Sequence, residues 1–468
     1  MAVDRMSPLD AMFLHVEDGV SHMHIASVLT LEGPAPSYAD FVSMLSGRLS
    51  LVPRYRQVVR FVPFQLGRPV WVDDPHFNLE YHVRHTALPT PGTWVQLQEL
   101  TARIFSQQLD RSKPLWEMWL IEGLEEDRFA LITKTHHSLI DGIAGVDLAT
   151  VLFDLSPEPP PISHSGRPWK PHSEPRAPQL VAAGLLGAAR AGVELLDGAI
   201  EALTHPERAL ARAREAAEGV GEIVWAGLNP APETPLNVPI GPYRRFVAIT
   251  SQLEDMKTVK NAFGGTVNDV VLAVVAGALR SFLISRGRRT EGVELRALVP
   301  VSVRAEDQHH TAGNRIVVMR GPLPVYIADP IQRLRFVSQA MDGLKESKQA
   351  LGAEVIAGAQ NFAPPTILAQ ASRLNFSTRL FNLIVTNVPG PQFPLYVLGR
   401  EMLQVLPVAF LPENHALAIA IMSYNGQMNF GLLGDFDALP DIDAIGESIA
   451  EELANLVSLA RESAATLA

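Results

Sequence analysis

The spacing of hydrophobic and polar residues predicts two regions in which strands and helices are mixed. In the first region, apolar runs predict strands at residues 24–31 and 129–135, and helical spacing predicts helices at 38–51 and 93–109. In the second region, the same patterns predict strands at 246–250 and 295–303 and helices at 267–286, 330–348 and 444–460. The sequence therefore predicts an α/β (α+β) protein with two halves of similar type.

The segment between the two halves has a different composition. Prolines are concentrated in residues 157–178 and again in 230–242, and such stretches cannot form a helix or a central strand. Between them, residues 180–225 place apolar side chains at helical spacing, which predicts two helices divided at Pro206. We predict an N-terminal domain at residues 1–155, a proline-rich helical connector at 156–243 and a C-terminal domain at 244–468, with a site between the domains.

Composition limits the classes of function. The chain has 468 residues, 47% of them hydrophobic and 19% charged, which describes a globular protein with more than one core. The absence of cysteine excludes disulfides and a thiol nucleophile, and a net charge of −11 argues against nucleic-acid binding. No apolar segment has the length of a membrane span, and the N-terminus lacks a signal-peptide core. We expect a cytoplasmic protein whose contact with membrane or lipid is at most peripheral.

The most informative motif is HHxxxDG, formed by His136, His137, Asp141 and Gly142 between a predicted strand and a helix-like segment. An imidazole at the end of a strand can accept a proton from a hydroxyl at neutral pH, which favours general-base acyl transfer. The alternative is a pair of buried, inert core histidines. Neighbouring residues of an extended chain point to opposite sides, so the two histidines would not bind one metal ion, and we predict no metal site.

Three other sets of residues have a structural interpretation. Asn268 and Asp269 lie at the start of an apolar helical run, where they would cap the helix. Trp116, in the segment PLWE, would be an aromatic core residue. Residues 386–391 (TNVPGP) predict a strand that runs into a turn, and we expect this strand to be architectural, exchanged between the domains.

Taken together, these motifs resemble those of a known family. HHxxxDG followed by a second α/β half is similar to the coenzyme-A-dependent acyltransferase superfamily, which includes chloramphenicol acetyltransferase and peptide-synthetase condensation domains. Further matches narrow the resemblance to the bacterial wax ester synthase/diacylglycerol acyltransferase family. They are SPLDAMF at 7–13, PLWE at 114–117, LN at 236–237, RR at 244–245, VNDV at 267–270, VPVSVR at 299–304, GN at 313–314 and TNVPGP at 386–391.

The resemblance implies two chloramphenicol-acetyltransferase-like domains with a tunnel and active site between them. It implies that His137 is the general base, that His136 supports it, and that Asp141 holds the loop through Arg304 or Arg296. Gly142 would let the chain turn closely beneath the site. Asn268, Asp269 and Trp116 would contact substrate, with Trp116 near the acyl pocket.

The function implied is transfer of a long-chain acyl group from acyl-CoA to diacylglycerol or a long-chain alcohol. Acyl-CoA would be a co-substrate, and no cofactor is expected. Because these acceptors are lipids, we expect peripheral contact with the inner membrane surface or lipid inclusions, and we consider the connector helix carrying Leu185 and Leu196 for that contact. The alternatives are a superfamily acyltransferase with a different small acceptor, a condensation-type enzyme, and a catalytically silent scaffold at lipid surfaces.

Overall fold

The computed structural model of the protein describes residues 4–139, 153–158, 169–182, 184–186, 204, 207, 229–303, 315–346 and 376–467. The strands are β1 Asp4–Arg5, β2 His24–Glu32, β3 Gln57–Arg60, β4 Val70–Asp73, β5 Val83–Ala87, β6 Trp116–Leu124, β7 Arg128–His136, β8 Arg244–Gln252, β9 Leu295–Val303, β10 Arg315–Leu323, β11 Leu383–Pro389, β12 Tyr396–Val397, β13 Arg400–Val408, β14 Leu417–Tyr424 and β15 Gln427–Asp435. The helices are α1 Pro8–Val16, α2 Tyr38–Arg48, α3 Leu79–His82, α4 Trp94–Ser106, α5 Leu253–Phe263, α6 Val267–Ser285, α7 Pro330–Glu346 and α8 Ile442–Leu467, with 3₁₀ turns at Leu49–Leu51, Pro53–Arg56 and Pro63–Gln65.

A six-stranded sheet in the first half carries the histidine motif. Its order is β12-β13-β2-β7-β6-β5, and β7, which ends at His136, lies between β2 and β6. Strands β12 and β13 come from the second half of the chain, and β13 pairs antiparallel with β2. The second half therefore completes the sheet that holds the motif.

The strand exchanged between the halves is not the one that the sequence suggested. Residues 386–391 belong mostly to β11, which lies inside the second sheet and pairs parallel with both β9 and β14. The prediction of exchange was therefore wrong for this segment. The exchanged strand β13 starts about ten residues later, and its apolar pattern does not specify which of two sheets it joins.

The second sheet, of order β10-β9-β11-β14-β15-β8, packs against the helices α5 to α8. Helix α6 is the centre of this layer, since nearly all its residues from Asp269 to Leu279 are buried and it contacts α7 and α8. Helix α6 is long and apolar enough to cross a membrane, but most of it is buried inside the protein. Its composition is that of a core helix.

The two sheets approach each other closely. A Cβ atom at Gly431 of β15 would lie only 1.8 Å from the carbonyl oxygen of Pro407 in β13, so only glycine permits this approach. One large apolar core contains residues of both halves, among them Val28, Ile132, Phe410 and Ile421. The end of β7 therefore lies close to residues of both halves, among them Phe13 and Phe410.

Most of the predicted elements are confirmed, with shifts at their ends. Both predicted strands of the first half and both of the second are present, and the helix predicted at 38–51 ends at Arg48 and continues as a 3₁₀ turn. The helix-like segment expected at 143–154 falls outside the described residues except for its end, where Asp154 pairs with Tyr396 in an isolated bridge and is not helical. The connector lies largely outside the described residues as well, although 177–182 and 184–186 are helical.

Candidate active site

His137 immediately follows β7 and is held by backbone hydrogen bonds from both neighbouring strands. Its N–H donates to the carbonyl of Met23 at 2.8 Å, just before β2, and the N–H of His136 donates to Leu115 at 3.0 Å, just before β6. The next turn closes when Leu139 N–H donates to the carbonyl of His136 at 2.9 Å. The backbone that carries the imidazole is thus fixed on both sides.

Aromatic side chains from both halves of the chain enclose the His137 ring. Phe13 of α1 stacks on it at a centroid distance of 4.1 Å, and Phe410, just after β13, meets it edge-on at 5.8 Å. This burial lowers the pKa of His137 to about 4. At neutral pH the imidazole is therefore uncharged and able to accept a proton.

A pocket of about 280 Å³ opens beside His137. Its walls come from the start of α1, the small sheet β1-β4-β3 and the motif loop, and its lining residues are Ser7, Leu9, Asp10, Phe13, Arg54, Trp71, His137, Ser138 and Leu139. Ser7 also caps α1, since its Oγ accepts from the N–H of Asp10 at 3.0 Å. The SPLDAMF segment of the sequence thus forms part of the pocket around the candidate base.

A buried carboxylate that the sequence analysis did not single out lies behind His136. The Glu17 carboxylate is 3.4 Å from His24 Nε2, 3.5 Å from His136 Nε2 and 3.4 Å from Arg111 Nε, with only 1% of its side chain exposed. Burial alone would raise the pKa of Glu17, but its interactions with the two histidines outweigh burial and hold that pKa well below its usual range. Glu17 is therefore an ionised group inside the protein.

The contacts of His136 determine where its proton lies. The N–H of Ser138 donates to Nδ1 of His136 at 3.1 Å, and the Ser138 hydroxyl lies 2.6 Å from the same nitrogen. Because Nδ1 accepts a hydrogen bond from this N–H, we assign the ring proton to Nε2, which faces Glu17. His136 therefore lies between the Glu17 carboxylate and Ser138, the residue that follows His137. The one sequence signal for Glu17 was an acidic residue directly after the apolar end of α1.

The other half of the motif is outside the described residues. Asp141, Gly142 and Arg304 all fall there, so the proposed pairing of Asp141 with an arginine stays a prediction. Arg296, the other candidate, lies in β9, where its Nη1 donates to the carbonyl of Asn229 at 2.6 Å.

Asn268 and Asp269 lie in the first turn of α6. Neither is the N-cap residue, so the capping role expected from the sequence is corrected. The N-cap is Thr266, whose hydroxyl accepts from the N–H of Asp269, while the Asp269 carboxylate accepts from the N–H of Thr266 at 2.8 Å. Asp269 thus belongs to a capping box, because an acidic residue at the third helical position can reach back to the cap. Asn268 Oδ1 accepts from the side-chain amide of Asn387 at 3.4 Å, which joins the VNDV and TNVPGP motifs.

Trp116 is a buried residue at the start of β6. Its ring stacks between Tyr55 and His82, and its indole N–H donates to the carbonyl of Tyr55 at 2.8 Å. Within the described part of the chain, Trp116, Asn268 and Asp269 are not among the residues that line the pocket at His137. Nor does any group of three or more His, Asp or Glu side chains there have the arrangement of a metal site.

Comparisons with known proteins cover almost the whole chain. Residues 6–271 match the family model described as the wax ester synthase/diacylglycerol acyltransferase catalytic domain, and residues 312–457 match the model of the C-terminal domain of the same family. A probable diacylglycerol O-acyltransferase of Mycobacterium tuberculosis is 36% identical over 463 residues, which cover 98% of this chain and 97% of that protein.

Solved structures agree with these matches. The wax ester synthase/diacylglycerol acyltransferase from Marinobacter aquaeolei VT8 has a TM-score of 0.66 and 29% identity, covering 97% of this chain and 99% of that one. The first condensation domain of the calcium-dependent antibiotic synthetase, at 16% identity and a TM-score of 0.61, shares the fold over 97% of this chain and 96% of its own. The predicted class, two acetyltransferase-like domains of mixed α/β structure, is confirmed.

Proposed function

The chain belongs to the wax ester synthase/diacylglycerol acyltransferase family, and from this premise we propose how its active site transfers the acyl group. It is an acyl-CoA-dependent O-acyltransferase that makes triacylglycerol or wax esters. Its substrates are acyl-CoA and an acyl acceptor. The acceptors that we propose are diacylglycerol and long-chain alcohols.

In the proposed mechanism, His137 acts as a general base. The acceptor hydroxyl attacks the thioester carbonyl while His137 takes its proton, so a C–O bond forms and the carbonyl oxygen becomes negatively charged. The C–S bond then breaks, the carbonyl re-forms, and the imidazolium returns the proton to the departing thiolate. The acyl group passes directly to the acceptor, without an acyl-enzyme, a metal ion or a cofactor.

The observation that carries this mechanism is the state of His137. Its ring lines a pocket, and burial between Phe13 and Phe410 lowers its pKa to about 4. An uncharged imidazole is competent as a base, and the same enclosure excludes water that would hydrolyse the thioester. Ionised Glu17 supports the arrangement, because it faces the Nε2 proton of His136 and so favours one orientation of the motif loop.

Other residues have proposed roles around this centre. Asn268, at the electropositive start of α6, would orient the substrate or donate to the oxyanion, and Asp269 would fix that helix end. Asp141 and Gly142 would shape the loop after His137, and Trp116 would influence acyl selectivity through the core that it fills. Because both products and acceptors are lipids, we place the enzyme in the cytoplasm, in peripheral contact with the inner membrane surface or lipid inclusions.

The proposal is tested by measuring thiol release from a long-chain acyl-CoA over a panel of diacylglycerols, long-chain alcohols and small polar alcohols, with the products identified by mass spectrometry. We expect turnover with the lipid acceptors. Turnover confined to small polar acceptors would contradict the acceptor class, and binding of acyl-CoA without thiol release would favour a silent scaffold.

Two further measurements test direct transfer. Intact-protein mass spectrometry after quenching with excess acyl-CoA should find no acylated protein, and chelators should leave the rate unchanged. A stoichiometric acyl adduct would contradict direct transfer, and inhibition by chelators that added metal reverses would contradict the metal-free mechanism.

A further inference from the structure

We propose that the tip of the small sheet, residues 61–68 together with Leu185 and Leu186, docks on an anionic phospholipid bilayer and brings the pocket at His137 to the lipid surface. We call these residues the docking tip. The inference rests on the proposed function, since it supplies the route by which a lipid acceptor reaches the base.

The docking tip exposes large apolar side chains to solvent. Phe64 is 89% exposed, and Phe61, Leu66, Leu185 and Leu186 are also exposed. The two segments are neighbours, because Phe61 and Leu66 flank the 3₁₀ turn Pro63–Gln65 and Leu66 lies against Gly184, the residue before Leu185. Large apolar side chains exposed together in this way indicate a binding site.

The backbone conformation of Phe64 is a second, independent sign of function. Its φ of 58° and ψ of 15° lie in the left-handed region. Glycine, asparagine and aspartate adopt this region most readily, and it is unfavourable for a bulky residue such as phenylalanine. In the described part of the chain this conformation does not bury the ring, which is almost fully exposed to solvent. Backbone strain that holds an aromatic side chain outward is typical of a functional contact.

The charge around the docking tip selects the partner. Residues 53–68 contain four arginines and no acidic residue, whereas the whole chain has a net charge of −11. Arg60 pairs with Glu174 at 2.5 Å and Arg54 with Asp4 at 2.7 Å, so some of this charge is balanced locally. The guanidinium of Arg111 lies 5.8 Å from the Phe61 ring, and its charge is likewise balanced by Glu17 at 3.4 Å. Apolar side chains surrounded by arginines match the interface of an anionic bilayer.

The docking tip is continuous with the active-site pocket. β3 and β4 form the sides of the hairpin that carries the tip, and Arg60 pairs with Val70 where the tip begins. Trp71, the next residue of β4, lines the pocket with Arg54 and Leu9. Trp71 pairs with Val59, and Phe61, where the tip begins, is two residues further along that strand, or about 7 Å away. A bilayer that contacts the tip is therefore adjacent to a wall of the pocket.

The structure also revises the surface expected from the sequence. Leu180, at the start of the connector helix, is buried against Val58, Val62, Val70 and Val72 of the small sheet. This packing attaches the helix to the hairpin and leaves Leu185 and Leu186 outward beside the tip. Leu196, the other residue considered for docking, lies outside the described residues.

The test uses substitutions that remove apolar contact without disturbing the fold. Phe64→Asn suits the left-handed backbone, so it should leave the melting temperature unchanged or higher. Phe64→Asn combined with Leu185→Asn should weaken binding to vesicles of phosphatidylcholine and phosphatidylglycerol by about tenfold or more in flotation assays. The matched control is Phe393→Asn, an exposed phenylalanine elsewhere on the surface, which should bind vesicles like the wild type.

Two companion measurements separate docking from catalysis. Wild-type binding should be weaker to pure phosphatidylcholine vesicles and should fall with added salt. With a short soluble alcohol, the double variant should release thiol at the wild-type rate, while its turnover of vesicle-borne diacylglycerol falls.

The other outcomes contradict either the docking tip or the proposed function. Unchanged vesicle binding of the double variant, equal loss in Phe393→Asn, or equal binding to neutral and anionic vesicles would overturn the docking tip, whatever the activity. A double variant that also loses turnover of the short alcohol would place the tip in the catalytic machinery instead. If the wild type binds vesicles at the tip but releases no thiol from any acceptor, the proposed function fails and docking stands.

Discussion

Oε2 of Glu17 lies 3.5 Å from Nε2 of His136, and both side chains are almost completely buried. This separation places an ionised carboxylate behind the residue that precedes the candidate base. The arrangement connects α1, through His136 and Ser138, to the loop that orients His137.

We predict that Glu17→Gln lowers kcat by about tenfold to a hundredfold with little change in KM. The substitution keeps the shape of the side chain but removes the charge that faces His136, so the motif loop loses a preferred orientation while the substrate pocket remains. Steady-state thiol release at saturating acyl-CoA measures the effect. Glu17→Asp should recover part of the activity, and a Glu17→Gln enzyme with normal kcat would show that the carboxylate is only structural.

The pH dependence should reflect the burial of His137. Because its pKa is lowered to about 4, the imidazole remains unprotonated as the pH falls from neutrality, and base catalysis is lost only near pH 4. We expect kcat/KM at about pH 5.5 to stay within about twofold of its value at pH 7.5. A base with the ordinary pKa near 6.5 would lose about tenfold over that interval, which would contradict the account. Tryptophan fluorescence at each pH verifies that the protein is folded.

Phe13 provides a direct test of the cause of that shift. Its ring stacks on His137 at 4.1 Å, so Phe13→Ala should admit water and raise the pKa of His137 towards 6.5. The acid limb of the kcat/KM profile should then move up by about one pH unit. Phe13→Leu keeps an apolar cover and should retain the wild-type profile. Coincident profiles of Phe13→Ala and the wild type would show that another group keeps the pKa low.

The sequence predicted those parts of the site that depend on neighbouring residues, and it missed those that depend on residues far apart in the chain. His136, His137 and the SPLDAMF segment were predictable, because a strand end and a helix cap are set by neighbouring residues. Glu17 was missed because its partners are 7 and 119 positions away, and only the antiparallel pairing of β2 with β7 brings His24 and His136 together beside it. Phe410 was missed for the same reason.

Similar reasoning applies to the fold. The strands and helices were predicted largely correctly because each has its own periodicity. The exchange of β13 into the first sheet was assigned to the wrong segment, since the residues 386–391 and Arg400–Val408 are both apolar enough for either sheet. Close contacts such as that of Gly431 with Pro407, rather than hydropathy, determine how the two sheets fit together.

Two substitutions at the start of α6 distinguish a residue that stabilises the helix from a residue that acts in catalysis. Thr266→Ala should lower the free energy of unfolding by about 1 kcal/mol through loss of the capping box, with unchanged turnover per folded molecule. Asn268→Ala should instead lower kcat by about a hundredfold if its amide donates to the oxyanion. Chemical denaturation and steady-state kinetics on both variants distinguish the two effects. Equal turnover of Asn268→Ala and the wild type would confine Asn268 to its contact with Asn387.

The central claim is that His137 accepts the proton of the acceptor hydroxyl, and its most direct test is the single-turnover rate of His137→Ala with bound acyl-CoA and saturating acceptor. Loss of a general base should lower this rate by about 10²–10⁴-fold, while affinity for acyl-CoA and the melting temperature stay close to those of the wild type. His136→Ala, which removes only support for the loop, should lower the rate less. A single-turnover rate of His137→Ala equal to that of the wild type would contradict the mechanism.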